Sequence, residues 1–431
     1  MSRFALVNFV PPKDVANYLG YSQGLGSISA VLKQLNHQTV LFNIDQRSDT
    51  KSFEAAAYCD AVMVYLTTTG YPLFRYAMAQ YWGGNLPVFV GGPHAIALPE
   101  VLAMEPHVTG VCAGEGELTA QVLSRWMHND AALSDVPNLF YNDNGVLQTN
   151  ATGCYVADLD SLPFPDRDFF PYADVLSTKA GRLVGMEFMA TRGCKYGCRF
   201  CLNPRLLKLQ GKQMIRRRSV SSIIEEVRIA TNKYRYNGVI GFHDDIFTLD
   251  VAWLNEFANR FKKEINRPFW CNVHIDDIDE QIVRTLRRAG CYRVLVGIEC
   301  GNETMRKKAL GKHLGNDEIL YKISLLKQQH IKIVATFMIG LPGETESNLR
   351  ESVDFCRAIA PDWILLSSLF PFPGTRLYTQ LVAEGRLKAD FYQHMNSETF
   401  YSASLVYDQG ILSMETLQYY FKNFRKMAGV L

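Results

Sequence analysis

From residue 4 to residue 369 the chain repeats one unit: a short apolar run, then a glycine, hydroxyl or acidic residue, then a stretch with helical periodicity. Strands buried on both faces read as such runs. Their alternation with helices implies parallel sheets, because parallel neighbours can be joined only by a long crossover. In the first part the runs are 4–10, 38–43, 61–66, 87–90 and 110–112, and helical patterns occupy 24–35, 53–58, 71–82, 99–103 and 118–126. This predicts a doubly wound, Rossmann-like domain over 1–130, with ligands beyond the carboxyl ends of its strands.

A second series follows, with strands expected at 183–189, 239–242, 269–274, 293–298, 333–338 and 363–369. Ser222 and Glu225 read as a capping box that starts a helix. Six β/α units fall short of the eight in a closed barrel, so residues 181–376 are expected to form a partial (β/α)6 barrel. Between the two lies a connector, 131–180, with few periodic signals and a rigid, proline-rich strap over 161–167. Residues 377–431 form a small C-terminal cap rich in aromatics, among them Tyr392, Phe400, Tyr401, Tyr407, Tyr420 and Phe424. It reads either as a lid that shapes a substrate pocket or as a packed cap.

Composition narrows the function classes. The 431 residues are 48% apolar and 20% charged with a net charge of +2, so nothing points to a polyanion partner such as nucleic acid. The consecutive arginines Arg216, Arg217 and Arg218 read as a carboxylate-pairing or solvated turn rather than a nucleic-acid patch. Ten cysteines are scattered through a long chain, unlike a secreted disulfide framework. The opening MSRFALVNFVPP has no long apolar core of a signal peptide, and no apolar run reaches membrane-spanning length. A reducing, cytoplasmic setting is expected.

The chemistry concentrates at Cys194, Cys198 and Cys201, a C-x3-C-x2-C triplet just past an apolar run. Three nearby thiolates can ligate a soft metal centre, whereas a structural zinc site wants four closed ligands. A cubane iron–sulfur cluster on three thiolates keeps one iron open for a small molecule. Gly193 and Gly197 allow a tight turn, and Tyr196 and Phe200 can shield one side. The competing readings are a zinc-site fragment with a remote fourth ligand, or unrelated thiols. At the strand ends of the first domain stand Thr67, Thr68, Thr69 and Gly70, then Gly91 and Gly92, then Gly114, Glu115 and Gly116. They suit close approach of backbone to a large flat ligand, or they are ordinary tight βα turns.

The triplet, with an aromatic just before its third Cys, resembles the radical S-adenosylmethionine (SAM) superfamily. The run VFVGGPHAIALPE at 88–100, followed by AGEGE at 113–117, resembles the cobalamin-binding domain fused to one class of that superfamily. The LPxP at 162–165 and the PxPGT at 371–375 are similar to segments flanking the core in this class, so the resemblance spans 1–375. It implies a [4Fe-4S] cluster on Cys194, Cys198 and Cys201, with SAM at the open iron and cleaved there to a 5′-deoxyadenosyl radical. It places Asp244, Asp245, Glu299, Gly340 and Pro342 near SAM, and the glycine and threonine strand ends near cobalamin. Cobalamin domains often supply a His from an Asp-x-His-x-x-Gly loop after the first strand. Residues 11–24 have no His, and the near match at 105–110 comes too late; the fused class usually lacks it too.

The nearest look-alikes are cobalamin-dependent methyltransferases and the anaerobic magnesium-protoporphyrin monomethyl ester cyclase group. Methyl transfer to an unactivated carbon of a small-molecule substrate is therefore expected, with an external reductant such as flavodoxin or ferredoxin. The alternatives are a non-methylating cyclase, dehydratase or rearrangement enzyme with an unused cobalamin domain, and a non-enzymatic cobalamin or metal sensor. His243, His274 and Tyr196 are candidate acid–base groups or, equally, packing residues.

Overall fold

The structure, a computed structural model, describes residues 1–10, 21–168, 170–211, 215–395 and 405–430. Most of the loop at 11–24, and Met214, Phe400 and Tyr401, lie outside the described residues.

Five strands of the first sheet are parallel: β1 (Arg3–Phe9), β2 (Gln38–Ile44), β3 (Ala61–Tyr65), β4 (Val88–Gly91) and β5 (Gly110–Cys112). Their order is β2-β1-β3-β4-β5, the doubly wound arrangement in which the order reverses at β1. Phe4, Ala5, Leu6 and Val7 are fully buried, as expected of a strand covered by helices on both faces. The sheet then continues into the expected connector through β6 (Leu139–Asp143) and β7 (Val146–Thr149), both antiparallel. The connector is thus partly ordered sheet. Asn144 (φ 51°) and Gly145 (φ 87°) make the two-residue turn between them. Asn-Gly is a strong hairpin signal because both residues tolerate positive φ, and the periodicity reading passed over it.

The second sheet holds six parallel strands in strictly sequential order: β8 (Met186–Phe188), β11 (Ile240–Phe242), β12 (Phe269–Val273), β13 (Cys291–Glu299), β14 (Lys332–Ile339) and β15 (Trp363–Ser368). A separate two-stranded ribbon joins β9 (Thr191–Arg192) to β10 (Arg216–Arg217). The partial (β/α)6 barrel is confirmed, with two corrections. The strand expected at 183–189 begins only at Met186, because the helix Lys179–Val184 precedes it and plugs the barrel floor. Its carbonyls accept from Trp270 Nε1 (to Val184, 2.6 Å) and Arg293 Nη2 (to Leu183, 2.9 Å). The helix placed after a capping box at Ser222 starts earlier, at Val220, and Ser219 caps it by accepting from the Ser222 amide.

Outward-facing side chains of the barrel pack under its helices. Phe242 meets Phe247, Phe257, Phe261 and Phe269 in a buried aromatic cluster. The C-terminal helix Met414–Met427 belongs to the same shell, with Phe424 against Phe337 on β14. That part of the cap is therefore packing, not a lid. The remainder ties the domains together: Tyr392 packs edge-on against Tyr71 and His94 of the first domain.

The strap is also more than a spacer. Asp166 accepts from Ser29 Oγ (2.5 Å) and pairs with Lys33 on the first domain. Arg167, buried, pairs with Glu226 of the barrel (2.7 Å) while its guanidinium lies 4.8 Å from the Tyr21 ring and 4.2 Å from that of Phe188.

Candidate functional site

A cavity of about 380 Å³ opens where the strand ends of the first sheet face the Cys loop. One wall comes from the first domain: Gln23 to Leu25, Met63 to Tyr65, Gly91 and Gly92, and Gly114 to Glu117. The strap adds Leu162, Pro163 and Pro165, and the barrel adds Met189, Arg192, Cys194 and Asp245. The volume lies in the range of small-molecule sites and the lining is mainly apolar. A Cβ built on Gly24 or Gly91 would have no protein atom closer than 4.0 Å. At these two positions the absent side chain leaves room for a ligand. Gly92 serves the backbone instead: its φ is +95°, and a Cβ there would sit 2.9 Å from the Leu66 amide.

The expected site residues divide accordingly. Gly91, Gly92, Gly114, Glu115 and Gly116 line the cavity with Cys194 and Asp245. Thr67, Thr68, Thr69 and Gly70 do not. Thr67 and Gly70 build a helical turn, and Thr68 is buried with its hydroxyl on His94 Nδ1 at 3.1 Å. Among the described residues His94 Nε2 has no partner, and burial holds this imidazole down at a pKa of about 3.

The Cys loop springs from β9. Gly193 takes φ +101°, and the amides of Tyr196 and Asn203 point at the sulfurs of Cys194 (3.5 Å) and Cys201 (3.4 Å). All three cysteines are free and half-buried. Burial pushes the thiols of Cys194 and Cys201 up to about 11 and that of Cys198 upward as well. A bound metal would therefore have to take these sulfurs as thiolates, displacing their protons. Among the described residues no group of three or more His, Cys, Asp or Glu is gathered to hold a single metal ion. Three free thiols on one short loop supply the soft donors an iron–sulfur cluster would take, one short of the four closed ligands of a structural zinc site.

Tyr196 does not stand free beside the thiols. Its ring stacks on His274 (3.5 Å, 14°) and its hydroxyl donates to Asp277 at 2.8 Å. Phe200 packs into the apolar cluster shared by the first domain and the cap. Asp244 is fully buried: its Oδ1 accepts from the amides of Ala190 (3.0 Å) and Thr191, which pins the strand-to-loop turn. Burial raises Asp244 to a pKa of about 6. Of the expected acidic pair only Asp245 reaches the cavity.

Glu299 closes β13 with φ +73°, next to a register shift, so its side chain turns into the barrel. It accepts from Thr336 Oγ1 (2.9 Å) and faces Lys312 Nζ at 3.5 Å, an ion pair inside the rim rather than on the surface. The loop at 340–344, which holds Gly340 and Pro342, wraps around Glu344 and is clamped by the cap. Tyr407 donates to the Gly340 carbonyl, and Gln409 Nε2 to those of Leu341 (2.8 Å) and Glu344 (2.7 Å).

Sequence reasoning missed Arg192, Glu117 and Lys312 as site residues. Arg192 forks across Glu115 (2.9 Å) and Glu117 (2.7 Å), while Arg216 also pairs with Glu115. Burial works to raise the Glu117 pKa, but Arg192 and the Ser27 hydroxyl outweigh it and hold the carboxyl below its ordinary value. All three consecutive arginines are taken up by carboxylates: Arg217 by Asp250 and Arg218 by Glu226. His243, the other acid–base candidate, pairs with the buried Glu187 of β8.

A doubly wound sheet whose glycine strand ends face a three-thiol loop on a partial barrel defines the class: a cobalamin-type domain joined to a radical SAM core. Family models agree, with the B12 binding domain matching residues 13–124 and the radical SAM superfamily matching 189–356. Each model covers less than half of the chain, so the barrel is similar to the radical SAM core and the first domain to the B12 binding domain.

An uncharacterized methyltransferase of Pyrococcus horikoshii is 27% identical over 76% of this chain and 70% of its own length. The cytidylyl-2-hydroxyethylphosphonate methyltransferase of Streptomyces wedmorensis is 24% identical over 76% of this chain and 65% of its own. This chain therefore spans about two thirds of the length of these relatives. Among solved structures, the radical SAM methyltransferase TsrM from Kitasatospora setae, with cobalamin and a [4Fe-4S] cluster bound, superposes with a TM-score of 0.69. It has 15% identity and covers 89% of this chain and 78% of that one. The cobalamin-dependent SAM radical enzyme OxsB superposes at 0.66 with 16% identity, over all of this chain and 62% of that one. At these identities both establish the fold.

Proposed function

We propose that this chain is a radical SAM enzyme that methylates an unactivated carbon of a small molecule, with cobalamin as the methyl carrier. One observation carries the reading: the glycine strand ends of the first sheet and the Cys loop open into the same cavity, so a group held by one faces the other. Two relatives that bear methyltransferase names support it.

When bound, the cluster supplies the electron that cleaves SAM, and cobalamin supplies a transferable methyl group. The chain's own part is to bind, orient and exclude water. Cys194, Cys198 and Cys201 would hold the cluster. Glu299 and Lys312 offer a carboxylate and an ammonium side by side, suited to the charged groups and ribose hydroxyls of SAM. The clamped loop at 340–344 presents fixed backbone beside them, and Asp245 adds a carboxylate at the cavity wall. Gly24 and Gly91 would let cobalamin approach the backbone. The strap's Leu162, Pro163 and Pro165 keep that side of the cavity apolar. No helix among the described residues is long and apolar enough to cross a membrane. The reading calls for a low-potential one-electron donor of flavodoxin or ferredoxin type in a reducing cytoplasm.

Anaerobic reconstitution with iron, sulfide and hydroxocobalamin, followed by incubation with SAM and reductant, tests this. Cobalamin absorption, with S-adenosylhomocysteine formed alongside 5′-deoxyadenosine, is the expected result. 5′-Deoxyadenosine alone would favour a non-methylating radical enzyme. Bound zinc with no SAM cleavage would favour a sensor.

A further inference from the structure

Two walls of the cavity are joined by a buried ion cluster. Arg192 lies two residues before Cys194, at the root of the Cys loop. Its Nη1 donates to Glu115 Oε2 (2.9 Å) and its Nη2 to Glu117 Oε1 (2.7 Å), so one planar guanidinium spans both carboxylates of the first domain's AGEGE turn. Glu117 is held in turn by Ser27 Oγ at 2.6 Å, from the helix Gln23–Gln34. Glu115 accepts from Arg216 as well, and Arg216 pairs with Arg192 across the β9–β10 ribbon. Side-chain exposures are 5% for Glu117, 12% for Glu115 and 5% for Arg216, against 23% for Arg192.

Charges this far from water hold one another in place, because losing one partner leaves the rest uncompensated. Such a cluster has one good arrangement. It fixes the first domain's strand-end turn and the root of the Cys loop as a single body. Arg192, Glu115 and Glu117 all line the cavity, so whatever fills the cavity rests against the cluster.

We propose that Arg192 is a positioning residue that couples the two cofactor sites: its forked contact to Glu115 and Glu117 makes occupancy of the Cys loop pre-organise the cavity, and the reverse. The coupling to cobalamin rests on the function proposed above; the latch between domains does not. By linkage the effect is reciprocal, and couplings of this kind are typically about 5- to 150-fold. A lysine keeps the positive charge but cannot span two carboxylates in a plane, so Arg192→Lys separates geometry from charge.

The test is an anaerobic absorption titration with hydroxocobalamin on cluster-loaded and cluster-free chain. The loaded chain is expected to bind more tightly by a factor in the 5- to 150-fold range, and in Arg192→Lys that ratio should fall close to one. Glu117→Gln, which removes the charge of one arm but keeps an acceptor there, should give an intermediate ratio and serves if the lysine variant does not fold. A ratio of one in the unmodified chain, or an unchanged ratio in the variants, overturns the coupling while leaving the proposed function standing. If hydroxocobalamin binds neither form, the cobalamin reading fails, and with it the coupling. The latch is then judged by hydrogen exchange of the amides at 193–201 in the cluster-free chain: faster exchange in Arg192→Lys supports it, and unchanged exchange overturns it.

Discussion

Glu344 is fully buried inside the loop it belongs to, with Oε2 accepting from the amides of Gly340 (2.6 Å) and Leu341 (3.1 Å). Burial raises its pKa from the ordinary 4.5 to about 8, against the lowering effect of those amides. A carboxyl whose pKa rises on folding binds its proton more tightly in the native state. Its contribution is fully present below 4.5 and is lost as the pH climbs through 8. Glu344→Gln should therefore flatten the fall in stability between those limits by several kcal/mol; denaturant melts at matched pH values check this, and parallel slopes would count against it. Asp244 carries its cost differently, since its oxygen satisfies two buried amides. Asp244→Ala should cost about 2–4 kcal/mol in urea unfolding and Asp244→Asn clearly less, because one orphaned amide costs about 1–3 kcal/mol. The cysteine triplet was legible in sequence because its three ligands sit in one local loop. Arg192 and Lys312 were not, because their partners are remote in the chain or are set by how a loop folds back.

Among the elements, the turn after β4 is the most constrained. Gly92→Ala would force a Cβ against the Leu66 amide at 2.9 Å in a backbone with φ +95°. It should cost about 1–3 kcal/mol and weaken hydroxocobalamin binding, since the same turn lines the cavity. Thermal melts and an absorption titration measure the two effects. In the outer shell, Phe424 is fully buried against Phe337. Phe424→Ala should cost about 3–5 kcal/mol without altering the cavity, which that helix does not line. Parallel strands were readable because burial on both faces leaves nearly continuous apolar runs. The hairpin of β6 and β7 was not, since β6 is buried only at its start and β7 nowhere, and its signal lies in the Asn144-Gly145 turn. The false start at Leu183 has the same kind of cause: apolar residues at 183–184 read alike in a strand and in a short helix docked under a barrel.

For the whole molecule the strap decides how the two sheets sit together. Arg167 touches Tyr21 from the first domain's side and Glu226 and Phe188 from the barrel. Arg167→Met should destabilise the chain by about 1–3 kcal/mol, because Glu226 keeps Arg218 but loses its second buried donor; a scan that shows the two domains melting apart would mark the strap as the hinge of that loss. Sequence reading saw a proline-rich spacer here because rigidity is visible in composition and docking is not. The cap's Tyr392 carries one more consequence, for the order in which the protein is made. Its ring covers Tyr71 and His94, both fully buried in the finished fold. Those residues leave the ribosome roughly 300 positions before Tyr392, which at about 5–20 residues per second is roughly 15–60 s of synthesis. Through that interval the nascent first domain lacks part of the cover on its own core, and the chain finishes its beginning only with its end.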